Sequence, residues 1–494
     1  MVAMLVVATQ ALFTVGIDAG PVRFGVPLPA AAVARGLGLR GKGVLQWRRL
    51  PVGGESSDPV WVEIAIDGAA HSATVVAGGG HACPAGSGPA CAYTREETVV
   101  PYGREIVDRW AWRSGAVDER VRLQFEVATT LDDETYQVGE TRTRWDDPAH
   151  RCGRIASLPP PRFWQQAGVL PPGGRLGKRI RRHLERVRAT LTEMPGERGA
   201  GDFVRSGEVV TNLEFDTTLG LLRLALATGD RAILAQGIRA ASHLRDRDID
   251  RRSGLPFMHG PDHRIATPRA GHAWLQGLLL AGLLTADDSM IEAAKSIARG
   301  LAASEPRGTG GQERARDFAW PLLEIEALLA IDPDPVLAAA ADRLAGAIDQ
   351  RFDSRYHTWR FGEGELGDGI YLERGWITGG VVIPALRSHL ARHRDREMAG
   401  HLEAAQRELL RRIGQGRAGL PILWRCAGGR TFQEHRVERD PRAMLMLEGI
   451  AAADLRRLFC REEMRDCTYE VPAVDDPDLA TAFSIVARCS WIHR

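Results

Sequence analysis

Residues Asn212–Leu244 read NLEFDTTLGLLRLALATGDRAILAQGIRAASHL. Apolar residues recur at helical spacing, stop at the tight acidic turn Thr228-Gly229-Asp230, and resume in a second amphipathic run. The stretch predicts a helix hairpin. Three further stretches follow the same plan: Gly271–Ala302 turning at Thr-Ala-Asp-Asp, Arg316–Ile348, and Trp376–Leu409. The units recur roughly every 45–60 residues, longer than common solenoid repeats because long loops separate the hairpins. Antiparallel helix pairs of this kind either stack as a solenoid or close into an α/α toroid, and long loops on one rim favour the toroid.

Outward from the hairpins the period changes. Residues 177–194, GKRIRRHLERVRATLTEM, read as a basic amphipathic helix whose charges form a solvated face. Residues 144–175 are a Pro/Gly-rich connector containing LPPP and LPPGG. Before it, 21–143 reads as β: VWVEIAI, TVVP, RWAWR and RVRLQFEVATTL are short β-rich runs between Gly, Pro and Asp turns. The expected fold class is therefore α+β and multidomain, with a β domain at 21–143 and an α/α toroid at 176–460. A last helix is expected from Pro441 to Leu458. The tail 461–494 is mixed and receives no assignment.

Composition narrows the function classes. The chain has 494 residues and a formal net charge of +1, so bulk electrostatics argue for neither nucleic acid nor an anionic membrane surface. Lys42, Lys178 and Lys295 are the only lysines, which leaves few lysines to serve as a base. Residues 1–20, MVAMLVVATQALFTVGIDAG, have two readings. One is a secretory h-region, implying a secreted or periplasmic protein; the other is a first β-strand, leaving a cytoplasmic location open. No later segment reads as transmembrane. Seven cysteines are an odd number; Cys83 with Cys91 and Cys460 with Cys467 are possible disulfides, and buried free thiols are the plainer reading.

The chemistry-bearing residues gather before helix starts. The loop from Ser253 carries His259, His263 and Arg269 into a helix opening with His272 and Trp274. A helix N-terminus favours an anion through its free N–H groups and dipole. The other openings carry Asn212, Glu214 and Asp216; Arg316, Asp317 and Trp320; and Trp376, preceded by Tyr371. In a closed toroid these starts meet at one end and line one pocket, where a sugar stacks and hydrogen-bonds. His272 is read as acid or base, or as a capping histidine. His259 and His263 are read as further acid–base or substrate groups, since the Gly-Pro between them does not suit a metal pair. Arg269 is read as a carboxylate neutraliser or a solvated loop residue. Asn212, Glu214 and Asp216 bind hydroxyls or cap the helix. Tyr371 is a candidate acid or simply half-buried. Trp274, Trp320 and Trp376 stack on sugars or fill the core. The alternation Asp246, Asp248, Asp250 lacks the EF-hand glycine and glutamate, which leaves a looser calcium site as a possible cofactor site.

Several segments taken together resemble the exo-rhamnogalacturonan lyases and their YetA-like relatives. They are VRFGVPLPAAAVARGLGL at 22–39, NLEFDTTLGLLRLALATGD, HLRDRDID at 243–250, PFMHGPDHR at 256–264, and RAGHAWLQGLLLAGLLTADD at 269–288. The resemblance implies a RIFT-like β-barrel in the β domain, an α/α toroid behind it, and an acidic poly- or oligosaccharide substrate, as in pectin degradation. It implies exo-acting polysaccharide lyase chemistry on a rhamnogalacturonan-like glycan, by β-elimination at a uronate. Two departures stand out: the family's larger middle β region is reduced here to a connector, and its second TGD turn is Thr-Ala-Asp. Two alternatives remain on the residues themselves. One is an inverting glycoside hydrolase using Glu214 or Asp216 with Asp317, whose carboxyl groups should then stand about 6.5–9.5 Å apart. The other is a glycan-binding protein without catalysis.

Overall fold

The computed structural model describes residues 10–17, 22–40, 44–50, 52–53, 59–67, 72–77, 91–100, 103–112, 117–125, 155–157, 159–170, 203–205, 208–211, 216–250, 252–257, 260–261, 268–304, 315–360, 369–413, 420–427 and 431–437. The β region is built from three antiparallel sheets. Strand β1 (Gln10–Ile17) lies between β6 (Ser72–Ala77) and the short β10 (Ile155–Ser157), and β3 (Leu37–Arg40) flanks β6. In the second sheet β5 (Val60–Asp67) is central between β2 (Val22–Leu28) and β4 (Val44–Arg49). The third is a meander of β7 (Cys91–Val100), β8 (Gly103–Trp112) and β9 (Val117–Phe125).

Strand β5 shows why these runs are strands. Val60, Trp61, Val62, Ile64 and Ile66 are all buried, so the strand is covered on both faces and its apolar run needs no alternation. At Gly25 of β2, an added Cβ would collide with the carbonyl oxygen of Leu283. The missing side chain lets the sheet rest directly on a helix backbone.

Two short helices, α1 (Ala30–Ala34) and α2 (Pro161–Gln166), belong to the β region. The hairpins follow: α3 (Thr217–Thr228) with α4 (Arg231–His243), α5 (Gln276–Thr285) with α6 (Asp288–Ala303), and α7 (Ala315–Leu329) with α8 (Pro335–Asp349). The fourth opens with α9 (Gly375–Ile377), runs through a wide π-helical stretch (Thr378–Val382) into α10 (Ile383–Arg392), and returns as α11 (Arg396–Ile413). Each return helix starts on an aspartate whose carboxylate accepts N–H groups of the first turn. Asp230 takes those of Ala232 and Ile233, Asp287 that of Ser289, Asp334 those of Val336 and Leu337, and Asp395 those of Glu397 and Met398. Gly229 closes α3 with φ 74°; at the equivalent place Ala286 closes α5 with φ 52°, a left-handed conformation that costs a non-glycine residue about 1–2 kcal/mol.

Helix α5 is buried from Gly277 to Thr285, as a helix apolar on every side must be. Hairpins pack in chain order: α3 on α5, α5 and α6 on α7, and α7 on α10. One apolar core joins them to the β region, running from Phe24, Val62 and Ile64 to Leu279 and Leu283. Short sheets form from segments before, between and after the hairpins: β11 (Phe203–Arg205), β12 (Glu208–Thr211) and β13 (Gly260–Pro261); β14 (Phe352–Asp353) and β15 (Thr358–Trp359); β16 (Gly369–Tyr371), β17 (Leu420–Ala427) and β18 (Thr431–Val437).

Two expectations are corrected. A closed RIFT-like barrel requires first and last strands to pair, yet each described sheet is open, with edges at β10 and β3, at β2 and β4, and at β7 and β9. The toroid is not demonstrated either: among the described residues the main packing links each hairpin to the next in chain order, with no packing of that extent between the first and the fourth. The predicted helices at 177–194 and 441–458, Cys83, Cys460 and Cys467 lie outside the described residues.

Candidate functional site

The helix openings converge, and buried carboxyl groups tie them together. Asp216 caps α3 by accepting from Leu219 N at 2.8 Å, and its other oxygen accepts from Gly277 N at 2.7 Å, at the start of α5. Glu324, ten residues into α7, reaches the same helix start. One oxygen accepts from Leu275 N (2.8 Å) and Gln276 N (3.1 Å), and the other accepts from the Gln276 side-chain amide (3.0 Å). Three consecutive N–H groups at the opening of α5 are thus filled by two carboxyls from neighbouring hairpins. Gly277 makes this possible, because a Cβ there would overlap the Asp216 carboxylate and lie 2.7 Å from the Thr218 Cβ. The sequence marks this opening as favourable to an anion, and the chain itself supplies that charge.

The opening of α7 repeats the device. Glu373 is fully buried; it accepts from Arg316 N at 3.3 Å and from Arg374 N at 2.9 Å. The Arg316 guanidinium, also buried, donates from Nη2 to Gly271 O at 3.2 Å and stands 3.4 Å from His272 Nε2. A guanidinium has only donors, so the contact is a hydrogen bond only when this ring nitrogen accepts. Asp317 stands against the same turn: a side chain at Gly271 would come within 2.6 Å of its carboxylate oxygen. Beneath lie Trp274 and Trp320, edge to face with centroids 4.5 Å apart, and Trp376, whose ring is 6.0 Å from the Arg316 guanidinium carbon.

Burial governs the protonation of these carboxyls. It raises Asp216 above its ordinary value, against the pull of the Leu219 and Gly277 amides and the Arg223 charge. Burial, reinforced by the neighbouring Asp216, lifts Glu324 to about 8, with the Leu275 and Gln276 donors opposing. Burial lifts Glu373 to about 7 despite the Arg374 amide and the Arg316 charge. Arg223 is in turn lowered by burial, offset by Asp216 and Glu324.

The sequence-predicted residues fall into three groups. His272, Arg316, Asp317, Asp216, Trp274, Trp320 and Trp376 come together, although all three tryptophans are core residues rather than open stacking faces. Arg269 is exposed just before the 3-10 turn Ala270–His272. Asn212, Glu214, His259 and His263 lie outside the described residues; Tyr371 is a backbone partner of Arg425 in β16, its side chain outside them too. Both oxygens of Asp216 are spent on backbone N–H groups, which argues against its use as a hydrolase carboxylate. Of the aspartates considered for calcium, Asp246 is bidentate to Arg245, Asp248 lies 3.6 Å from His243, and Asp250 binds Ser253. Among the described residues no three His, Cys, Asp or Glu side chains are grouped to hold a metal, and no helix is long and apolar enough to cross a membrane.

Glu324 and Glu373 were missed from sequence. The signal for the first was present in LLEIEALL, where two glutamates interrupt an apolar helix, since a charge buried in such a run needs a specific partner.

No family model and no curated protein matches the chain. Among solved structures it is similar to the crystal structure of a sugar epimerase from a ruminal bacterium, at 11% identity and TM-score 0.40, over 61% of this chain and 85% of that one. A likeness of that size assigns neither fold nor activity. The resemblance to exo-rhamnogalacturonan lyases is not upheld, since the barrel it requires is a set of open sheets among the described residues. The polysaccharide lyase, pectin and β-elimination readings that came with it fall too.

Proposed function

We propose that this chain is a carbohydrate-active enzyme that works by proton transfer, with His272 as its acid–base group. The observation that carries the reading is the 3.4 Å approach of the Arg316 guanidinium to Nε2 of the half-buried His272, which sets a titratable ring beside a fixed cation at a helix opening. Around it, Arg316 and Asp317 bring donors and acceptors of both signs to one turn, over a base of indoles. Donors and acceptors gathered on one turn suit the hydroxyls of a polyhydroxylated ligand.

The test is incubation of the purified chain with a panel of neutral and acidic mono- and oligosaccharides in heavy water. NMR would follow deuterium entry at carbon, and a reducing-end assay would follow cleavage. Turnover is expected, and His272→Ala should lower it by about 10²–10⁴. Equal turnover in the variant would remove His272 from the chemistry. Saturable sugar binding without turnover would turn the reading to a binding protein.

A further inference from the structure

The residues that carry His272 and Trp274 are held from behind. Downstream of them, Leu275, Gln276 and Gly277 donate successive N–H groups to Glu324 and Asp216. Upstream, Gly271 gives its carbonyl to Arg316. The turn is thus clamped at both ends, and the downstream clamp consists of two carboxyls accepting from adjacent amides of one helix start. We propose that Asp216 and Glu324 act together as positioning residues for the His272–Leu275 turn, and that setting two like carboxyls on one helix start makes their hold depend on pH. This rests on the reading of His272 as the acid–base group.

The surroundings leave little to compensate a second negative charge. From α3 the pair is faced by Arg223, two turns beyond Asp216, and from α5 by backbone amides and the uncharged Gln276 side chain. From α7 comes Glu324 itself. With one proton on the pair, a single negative charge meets four backbone amides, the Gln276 side-chain amide and one guanidinium. When that proton leaves, two like charges share the opening of α5, and separating them draws the turn away from Arg316. Burial raises both groups, in Glu324 to about 8, so the loss falls in a mildly alkaline range.

Two measurements on the full chain decide the matter, with wild type, Glu324→Gln and Asp216→Asn compared from pH 6 to 10. The first is amide hydrogen exchange at 275–277. Wild type should show, above about pH 8, a rise of about tenfold per pH unit beyond the intrinsic base-catalysed increase. Glu324→Gln, which keeps an accepting oxygen but cannot ionise, should not. The second is the pH profile of carbohydrate turnover. Wild type should lose kcat over the same range, with KM little changed, and Glu324→Gln should lack that limb or carry it to higher pH. Identical exchange and turnover profiles in wild type and both variants would overturn the proposal. Asp216→Asn stands in if Glu324→Gln does not fold. A His272→Ala variant with full turnover would sink the functional reading alone, while the exchange measurement still decides whether the carboxyl pair holds the turn.

Discussion

Glu324 and Glu326 stand two residues apart on α7, both buried, and their surroundings push the two carboxyls in opposite directions. Glu324 meets backbone amides and another carboxyl, and burial with that neighbour lifts it to about 8. Glu326 meets a guanidinium and an imidazole ring. Its Oε1 is 2.7 Å from His389 Nδ1 and 2.9 Å from Arg392 Nη2, and its Oε2 accepts from Arg392 Nε at 3.2 Å. Burial pushes Glu326 upward as well, but hydrogen bonds from His389 and Arg392 outweigh it and hold the carboxyl below its ordinary value. Burial alone therefore does not decide whether a carboxyl is charged. Amide dipoles satisfy a buried carboxyl without ionising it when a like group stands beside it; a guanidinium and an imidazole keep it ionised. The first arrangement sits at the helix openings with His272, the second among α7, α8 and α10, where Arg392 also reaches Asp342 at 3.3 Å.

The sharpest way to break the amide side of this contrast is Gly277→Ala. The new methyl would displace the Asp216 carboxylate and come within 2.5 Å of Leu219 N. A loss of about 3 kcal/mol in urea-measured stability is expected; a loss under about 0.5 kcal/mol would mean the capping geometry is dispensable. On the cation side, Glu326→Gln should cost roughly 2 kcal/mol at pH 7, below the usual figure for a fully buried pair because Arg392 is partly exposed. The sign follows from a depressed carboxyl. Its stabilisation is present above the unfolded value and fades as pH falls through the folded one, so wild type and variant should converge in acid. Unfolding midpoints at pH 3, 5 and 7 would show this, and a constant gap would contradict it.

The smallest loss belongs to Glu324→Gln, which at neutral pH should cost no stability and should raise it, because folded wild type must keep a proton that the unfolded chain has already released. Here the sign reverses. A carboxyl raised in the folded state binds its proton more tightly than in the unfolded chain, so its contribution falls as pH climbs from the ordinary value of 4.5 towards about 8. Wild type should lose stability across that window relative to the variant. Parallel thermal melts from pH 5 to 9 would erase the contrast between the two glutamates.

The hairpins were legible because their signals are local. Aspartates at Asp230, Asp287, Asp334 and Asp395 start the return helices where the acidic turns place them. The Thr-Ala-Asp turn kept its hairpin as well, with Ala286 taking the left-handed conformation that glycine takes in the first unit. The favourable electrostatics of the α5 opening were also legible, but not the origin of the charge that fills it. Glu324 lies 49 residues from Leu275, and no local pattern announces such a pairing. The sheets failed for the same reason. Strand-like runs such as VWVEIAI were visible, whereas which edges stay open depends on partners distant in sequence, as β1 with β6 and β10 illustrates.

One consequence follows from Gly25. At that point the β region touches the α5 backbone at the Leu283 carbonyl, with no side chain between. The helical array is therefore not a module to be cut at the connector and set on another β scaffold. A donor sheet with any larger residue at the equivalent place would stand off from α5 and open a gap in the shared core. In recombination or design, position 25 travels with the helices.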